Sequence, residues 1–270
     1  MKSSCETIGN IVKYYRLVLK TLKNRGKFAM IQVKNLKKKF KKTEAVKDIS
    51  FSVNKGEIFG LLGENGAGKT TTLRMLATML KPTEGTAILG DSDILKDPSG
   101  VRKKIGILFG GETGLYDRLT ARENITYFAQ LNDIDPKMLK TRIVELTKYL
   151  SMEEFIDRKV AKLSKGMKQK VAIARSIVHN PSIMLFDEAT SGLDISAART
   201  IHDFIHQCKA EGKAVIFSSH SMAEVEKICD RIGIIRRGQL VAIGTVEEFK
   251  KRHGMNNLED TFIKMVGDQS

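Results

Sequence analysis

The stretch Gly63-Glu64-Asn65-Gly66-Ala67-Gly68-Lys69-Thr70 decides the fold of this 270-residue chain. It has the Gly-x-x-x-x-Gly-Lys-Thr spacing of a phosphate-binding loop. An apolar run over residues 58–62 precedes it and predicts a buried strand, and residues 71–76 predict the start of a helix. The glycines let backbone N–H groups turn toward phosphate oxygens, and the positive end of the helix adds to the attraction. The plainer interpretation, a glycine-rich turn before a surface lysine, does not explain the strand and the helix on either side.

Two side chains of this loop have chemistry of their own. Lys69 is predicted to reach the β- and γ-phosphates of a nucleotide and so to act in both binding and catalysis, and the Thr70 hydroxyl is predicted to ligate Mg²⁺. The other residues expected to contact the nucleotide are Gly63, Glu64, Asn65, Gly66, Ala67, Gly68 and Thr71.

A second apolar run, residues 183–186, ends in the two acids Asp187 and Glu188. Such a run predicts a central parallel strand, and ligands of open α/β folds bind at the carboxyl ends of these strands. Asp187 is predicted to hold Mg²⁺, directly or through water, and Glu188 to polarise the attacking water as a general base. A strand that meets solvent at an acidic turn has the same residues, but the phosphate loop upstream favours the catalytic interpretation.

A third motif, residues 163–170, precedes residues 171–177, which are apolar at helical spacing. Ser164 is a natural N-cap for this helix, and Gly166 permits close approach of another backbone. A helix N-terminus with a serine hydroxyl can bind an anion. An ordinary capped helix has the same residues, so the order of motifs along the chain carries the functional interpretation.

Five motifs follow one another: the phosphate loop, Leu163-Ser164-Lys165-Gly166, the acidic strand, Ser191-Gly192-Leu193-Asp194, and His220 after residues 215–219. In this order they resemble the ATP-binding subunit of ABC transporters, over roughly residues 30–267. The resemblance implies an α/β P-loop ABC ATPase domain with a parallel-rich core sheet, an antiparallel β subdomain near the N-terminus and a helical insert. It also implies an enzyme that hydrolyses ATP with Mg²⁺ as cofactor.

The same resemblance assigns roles to residues far from the phosphate loop. It implies that Phe40 stacks on adenine and that His220, as a catalytic residue, contacts the γ-phosphate. Ser164 and Gly166 are expected to cap the γ-phosphate held by a second copy, and Asp194 to link the two nucleotide sites. ATP would then hold a head-to-tail homodimer together, because it binds the closed state better than the open one.

Two segments depart from the family's usual pattern. The family carries a Gln between the phosphate loop and the helical insert, whereas residues 105–116 contain none. One of the glycines 110–111 takes its position, and we hypothesise that Glu112 supplies the missing oxygen. In the signature, Lys165 stands in place of Gly and Met167 in place of Gln. Lys165 either faces solvent, which we favour, or adds positive charge near the γ-phosphate.

Residues 109–124 and 163–170 together are similar to the ATPase subunits of bacterial two-component exporters, and most of all to those that export sodium ions. This implies an integral-membrane permease as partner, with Tyr116 and Asn124 near the contact, and a position on the cytoplasmic face of the cell membrane. Export of drugs, lipids or polysaccharides stays open as an alternative, because the ATPase of this family does not touch the cargo.

The sequence divides into three expected segments. These are a basic extension over 1–29, an ABC ATPase domain over 30–250 with a helical insert at about 123–157, and a tail over 251–270. No apolar run approaches the ~18 to 20 residues that a membrane helix needs, and no secretory signal is convincing. The three scattered cysteines fit a reducing cytosol, with neither metal-site spacing nor a disulfide framework.

The net charge of +15 is concentrated at one end of the chain. Residues 1–43 hold thirteen Lys or Arg and one acid, a net charge of +12, while the rest holds 33 basic and 30 acidic residues, a net charge of +3. The ATPase body is therefore nearly balanced, and we expect no nucleic-acid partner. Residues 11–22 place apolar side chains on one face of a predicted interfacial helix. A poorly ordered extension, or a start at Met30, is the alternative.

Two other functional classes share part of this pattern. A soluble, non-transport ABC ATPase would carry two cassettes if it acted on ribosomes, or a long coiled coil if it acted on chromosomes. The 118 positions from Lys69 to Asp187 do not leave room for a coiled coil. A small-molecule kinase shares the phosphate loop, but the signature, Asp194 and His220 argue against it.

Overall fold

Ten strands form two sheets within residues 29–110 and 114–253, which are the residues that the computed structural model describes. In chain order the strands are β1 (Ala29–Phe40), β2 (Thr43–Asn54), β3 (Ile58–Leu62), β4 (Glu84–Leu89), β5 (Ser92–Asp93), β6 (Ile105–Phe109), β7 (Ile183–Asp187), β8 (Ala214–Ser219), β9 (Arg231–Arg236) and β10 (Gln239–Thr245). The first sheet has the order β2-β1-β4-β5 and is antiparallel. The second has the order β10-β9-β3-β8-β7-β6, and only β10 runs antiparallel to its neighbour. The predicted fold class is confirmed.

Eight α-helices surround these sheets in the described part of the chain. They are α1 (Lys69–Leu76), α2 (Pro98–Lys104), α3 (Ala121–Leu131), α4 (Pro136–Tyr149), α5 (Lys165–Ile177), α6 (Ile195–Ala210), α7 (Met222–Ile228) and α8 (Val246–His253), and a 3₁₀ turn (Val160–Lys162) precedes α5. Seven of them begin at a polar side chain that accepts a backbone N–H of the first turn, as N-caps do. These caps are Asp97, Thr120, Asp135, Ser164, Asp194, Ser221 and Thr245.

The helices α3 and α4 lie between β6 and β7 in the chain and pack against each other, and α3 also packs against α5. The range predicted for the helical insert, about 123–157, contains most of α3 and all of α4. The signature motif, residues 163–166, follows this helical region in the chain.

Strand β3 is buried on both faces of the core sheet. Its side chains at Ile58 and Leu62 join the cluster formed with the helices, whereas Phe59 and Leu61 join the cluster formed with the antiparallel sheet. Alternate residues of a strand point to opposite faces, so a strand covered on both sides is apolar throughout. This burial explains why residues 58–62 form a continuous apolar run, and it holds the start of the phosphate loop firmly.

No helix in residues 29–110 or 114–253 is long and apolar enough to cross a membrane. The predicted amphipathic face in residues 11–22, the Glu112 substitution for glutamine and the tail beyond residue 253 all lie outside the described residues. They stay predictions.

Candidate nucleotide-binding site

The phosphate loop joins β3 to α1 and is anchored by close backbone contacts. A Cβ atom at Gly63 would lie 2.2 Å from the Ile235 carbonyl oxygen, and one at Gly68 would lie 2.6 Å from the Ala45 carbonyl oxygen. Gly68 also has φ 111°, a conformation that residues with a side chain rarely adopt. The two glycines therefore let the loop pass between β2 and β9, which sets the direction of its N–H groups.

The ammonium group of Lys69 lies inside the loop, and the residue is only 3% exposed. Its Nζ donates to the carbonyl oxygens of Gly63 at 2.7 Å and Glu64 at 3.1 Å. The same atom lies 3.3 Å from Oε1 of Glu188. A buried charge needs such partners, and here they place a positive charge at the centre of the loop.

Thr70 and Asp187 meet although 117 residues separate them. The Thr70 hydroxyl donates to Oδ1 of Asp187 at 3.0 Å, and the Ser218 hydroxyl donates to the same oxygen at 2.7 Å. Hydroxyl and carboxylate oxygens are the ligand type that Mg²⁺ prefers. The donor set at this point therefore fits the cation, with Thr70 and Asp187 as the residues that would hold it.

Ser218 is a residue that the sequence analysis did not select. It is the last residue but one of the apolar strand β8 and lies beside Asp187 of the neighbouring strand β7, as the parallel register between the two strands shows. A polar residue at the carboxyl end of a predicted parallel strand was the available signal. Without the strand order, nothing in the sequence pairs it with Asp187.

Glu188 follows β7 with a left-handed backbone, φ 48°. Its N–H contacts both the carbonyl oxygen of Ser218 at 3.1 Å and the Ser218 hydroxyl oxygen at 3.2 Å. Its carboxylate lies between two basic side chains: Oε1 faces Lys69, and Oε2 lies 3.6 Å from Nδ1 of His220. Sparsely populated backbone conformations persist where surrounding contacts enforce them, often at functional sites. Lys69, Glu188 and His220 thus converge at one edge of the core sheet.

The signature and the segment before α6 occupy a different surface. Ser164 caps α5 by accepting the Met167 N–H at 3.3 Å, and a Cβ at Gly166 would meet no atom within 4 Å. Within the described residues, no hydrogen bond or ion pair joins Ser164, Gly166 or Asp194 to Lys69. One chain therefore does not assemble all of the predicted nucleotide contacts.

Lys165 contacts the segment that leads to α6, and Asp194 ends that segment as the N-cap of the helix. The Lys165 side chain is exposed and donates to the carbonyl oxygen of Gly192. Asp194 accepts the Ala197 N–H at 2.8 Å, and this bond lowers the pKa of the Asp194 carboxyl. Lys165 is exposed, as favoured from the sequence, but it also tethers the signature helix to the loop before α6.

Phe40 ends β1 with 44% of its surface exposed. The Lys38 ammonium lies 5.1 Å from the centre of its ring, close enough for a cation–π contact. An exposed aromatic ring at a strand end can stack on a planar ligand. The stacking of Phe40 on adenine stays a prediction.

Comparisons with known proteins identify the family. The ABC transporter family model matches residues 46–191, which include the phosphate loop, the signature and the acidic strand. The chain is 45% identical over 228 residues to the ABC transporter ATP-binding protein NatA of Bacillus subtilis, covering 84% of this chain and 93% of that protein.

The chain belongs to the ABC transporter family.

Two further matches extend the comparison for this ABC ATPase. It is 38% identical to the linearmycin resistance ATP-binding protein LnrL of Bacillus subtilis, covering 88% of this chain and 75% of that protein. Its fold is similar to a dimeric ATP-binding cassette in a post-hydrolysis state with ADP and Pi. That match has a TM-score of 0.71 and 27% identity, and it covers 80% of this chain and 98% of the other. The protein is an ATP-binding, ATP-hydrolysing subunit of a transporter, which confirms the expected activity.

The side chain of Asn124 holds the segment that leads into α3 in this ABC ATPase. Asn124 is fully buried, and its side chain bonds the Tyr116 N–H at 2.8 Å, the Tyr116 carbonyl oxygen at 3.1 Å and the Thr120 carbonyl oxygen at 2.9 Å. Tyr116 itself is 48% exposed and packs edge-on against Tyr127 at 5.3 Å. Asn124 therefore positions the segment from inside, and Tyr116 is the side chain that faces outward.

Proposed function

We propose that this ABC ATPase hydrolyses Mg·ATP between two copies of itself and thereby drives a separate membrane permease that exports sodium ions. The observation that carries the catalytic part is the position of the Glu188 carboxylate, with Lys69 on one side and His220 on the other. The sodium assignment rests on the sequence resemblance of residues 109–124 and 163–170 to sodium-exporting systems.

In this proposal each convergent residue has one task. Lys69 binds the β- and γ-phosphates, and Thr70 and Asp187 hold Mg²⁺, which neutralises phosphate charge when bound. Glu188 accepts a proton from the attacking water as the general base. His220 contacts the γ-phosphate. Phe40 stacks on the adenine ring, and the loop residues 63–71 surround the phosphates.

The homodimer explains why one chain leaves its site incomplete. The N-terminus of α5 is open around Gly166, where an added Cβ would meet nothing within 4 Å. A second copy could therefore bring Ser164 and Gly166 to the γ-phosphate and Asp194 to the site between the two copies. The similar fold of a dimeric cassette with ADP and Pi supports this arrangement.

The permease contact is proposed for the surface around Tyr116, on the cytoplasmic face of the membrane. Tyr116 and Tyr127 are 48% and 39% exposed, and Phe128 lies next to both rings. The Arg175 guanidinium stacks 4.5 Å from the centre of the Phe128 ring and donates to the Gly114 carbonyl oxygen at 2.6 Å. Aromatic side chains with a polar edge are common at the centre of protein interfaces.

Glu188→Gln tests the catalytic and dimer parts together. The variant keeps the shape of Glu188 but accepts no proton, so we expect ATP turnover to fall by at least ~100-fold while an ATP-bound dimer accumulates. Turnover is measured as phosphate release, and the dimer by light scattering with and without ATP. Glu154→Gln, an exposed substitution of the same kind, is the control and should behave as the wild type. A monomer at saturating ATP would contradict the sandwich mechanism.

The partner is tested by purifying the Glu188→Gln protein gently from native membranes with ATP, followed by mass spectrometry. We expect a multi-helix permease to accompany it. Sodium flux through the reconstituted pair should then require ATP and disappear with Glu188→Gln. Ribosomal or chromosomal partners without a membrane protein would leave the ATPase activity standing and overturn the transport assignment.

A second candidate cargo is a drug, which the 38% identity to a linearmycin resistance protein favours. The same reconstituted pair distinguishes the two. ATP-dependent efflux of an amphipathic drug without sodium flux would replace sodium by a drug, and sodium flux alone would support the first proposal.

A further inference from the structure

A chain of hydrogen bonds joins α6 to the loop that carries His220. The ring Nε2 of His202, on α6, lies 2.7 Å from Oε1 of Glu224, on α7. The other Glu224 oxygen accepts the Ser219 hydroxyl at 2.8 Å, and the Ser219 oxygen accepts the Ser221 N–H at 3.0 Å. Because a carboxylate only accepts hydrogen bonds, the Nε2 atom of His202 carries the proton in this contact.

These groups lie largely out of solvent. The side chains of His202 and Glu224 are 18% and 12% exposed, and Ser219 is 4% exposed. Polar groups that are removed from water and bonded to one another hold a more definite geometry than exposed pairs. Glu224 is also fixed through its backbone, since its N–H donates to the Ser221 hydroxyl at 3.4 Å.

The network acts on both neighbours of His220. Ser219 and Ser221 are its direct neighbours in the chain, and both are bonded to Glu224 or to each other. The His220 side chain itself is 51% exposed, and its contact within the described residues is the one with Glu188 at 3.6 Å. Its position is therefore set by the backbone on either side rather than by packing of its ring.

The other end of the network leads to a segment of the proposed dimer site. His202 stands on the helix that Asp194 caps, eight positions after that cap. A helix transmits displacement of one end to side chains along its length, because its backbone is continuously hydrogen-bonded. Movement at Asp194 would therefore reach Glu224 through His202.

We propose that His202 and Glu224 are positioning residues that hold His220 against Glu188 and the γ-phosphate and tie it to the segment capped by Asp194. This inference rests on the proposed role of His220. Loss of the network should leave ATP binding intact and slow hydrolysis, because His220 would lose its orientation without any loop contact being lost.

His202→Ala is the main variant, measured in the full-length protein. We expect kcat for ATP hydrolysis to fall about tenfold with KM and ATP affinity nearly unchanged. His202→Gln, which can still donate to Glu224, should recover most of the rate. His206→Ala, on the same helix but exposed, is the matched control and should show the wild-type rate. Equal rates for His202→Ala and the wild type would overturn the proposal.

A double-variant cycle with His220→Ala locates the effect. If His202 acts through His220, adding His202→Ala to His220→Ala should cause no further loss. An additive loss would mean that His202 acts elsewhere and would overturn the proposal. Should His220→Ala alone leave hydrolysis unchanged, the proposed role of His220 fails first, which separates the two failures.

A smaller change keeps the test valid if His202→Ala does not fold. Ser219→Ala removes one hydroxyl from the network, and its fold is checked by thermal unfolding. We expect a selective fall in kcat in this variant too, again absent in the His220→Ala background. A normal kcat in folded Ser219→Ala protein would contradict the network.

Discussion

At the residue scale, the candidate site depends on the buried ammonium group of Lys69. Lys69 is buried and lies against two carbonyl oxygens and the Glu188 carboxylate, which are the partners of its ammonium group. A charge held this way costs free energy to bury unless each partner is present. The same geometry aims the charge at the place where phosphate is expected.

Lys69→Ala should weaken ATP binding itself. Hydrogen bonds to charged groups contribute about 1.5–3 kcal/mol, so we expect ATP affinity to fall at least about tenfold. Equilibrium titration with a fluorescent ATP analogue measures the change. Lys140→Ala, an exposed substitution on α4, is the control and should leave affinity unchanged. Unchanged affinity in Lys69→Ala protein would remove Lys69 from its assigned role.

At the element scale, polar caps decide where the helices around the site begin. The start of α3 carries a capping box: the Thr120 oxygen accepts the Glu123 N–H at 3.1 Å, and Glu123 accepts the Thr120 N–H at 2.7 Å. The hydrogen bond from the Thr120 N–H lowers the pKa of the Glu123 carboxyl below its ordinary value. A lowered carboxyl pKa means that its stabilisation is present above the ordinary pKa of Glu and is lost as the pH falls through the lowered value.

Thr120→Ala should destabilise the protein by about 1 kcal/mol, because one first-turn N–H loses its partner. Urea unfolding followed by far-UV circular dichroism measures the free energy of unfolding. Thr141→Ala, at an exposed position within α4, is the control and should be nearly neutral. Equal free energies of unfolding for the two variants would mean that the Thr120 cap does not stabilise the protein.

At the scale of the whole molecule, the two sheets are joined by side-chain contacts at the start of β3. Phe51 of β2 stacks on Phe59 of β3 with ring centres 4.9 Å apart and planes 11° apart. Arg231, which begins β9, donates to Oε1 of Glu57 at 2.6 Å and to the Ser52 carbonyl oxygen at 3.3 Å. The antiparallel sheet is thus fixed to the core at the start of β3, the strand that leads into the phosphate loop.

Phe59→Ala should lower the free energy of unfolding by about 3–5 kcal/mol, since it opens a cavity between the sheets. Urea unfolding measures this loss. Phe40→Ala is the matched control, because its ring is 44% exposed. It should leave stability nearly unchanged and weaken ATP binding instead. Loss of stability in Phe40→Ala equal to that in Phe59→Ala would contradict this division of roles.

The sequence by itself determined the features that depend on neighbours in the chain. The phosphate loop, the strand before it and the cap at Ser164 were predictable, because a turn, a cap or an apolar run needs only local residues. The family and the ATPase activity followed from the order of such local motifs. The concentration of basic charge in residues 1–43 was likewise visible from composition.

Only the tertiary structure decided which distant groups meet. Ser218 contacts Asp187, and His202 reaches Ser219 through Glu224, because β8 lies between β3 and β7 and α6 packs beside β8. The left-handed backbone of Glu188 is likewise enforced by contacts with Ser218. Long-range pairs of this kind depend on strand order and register, which no local pattern specifies.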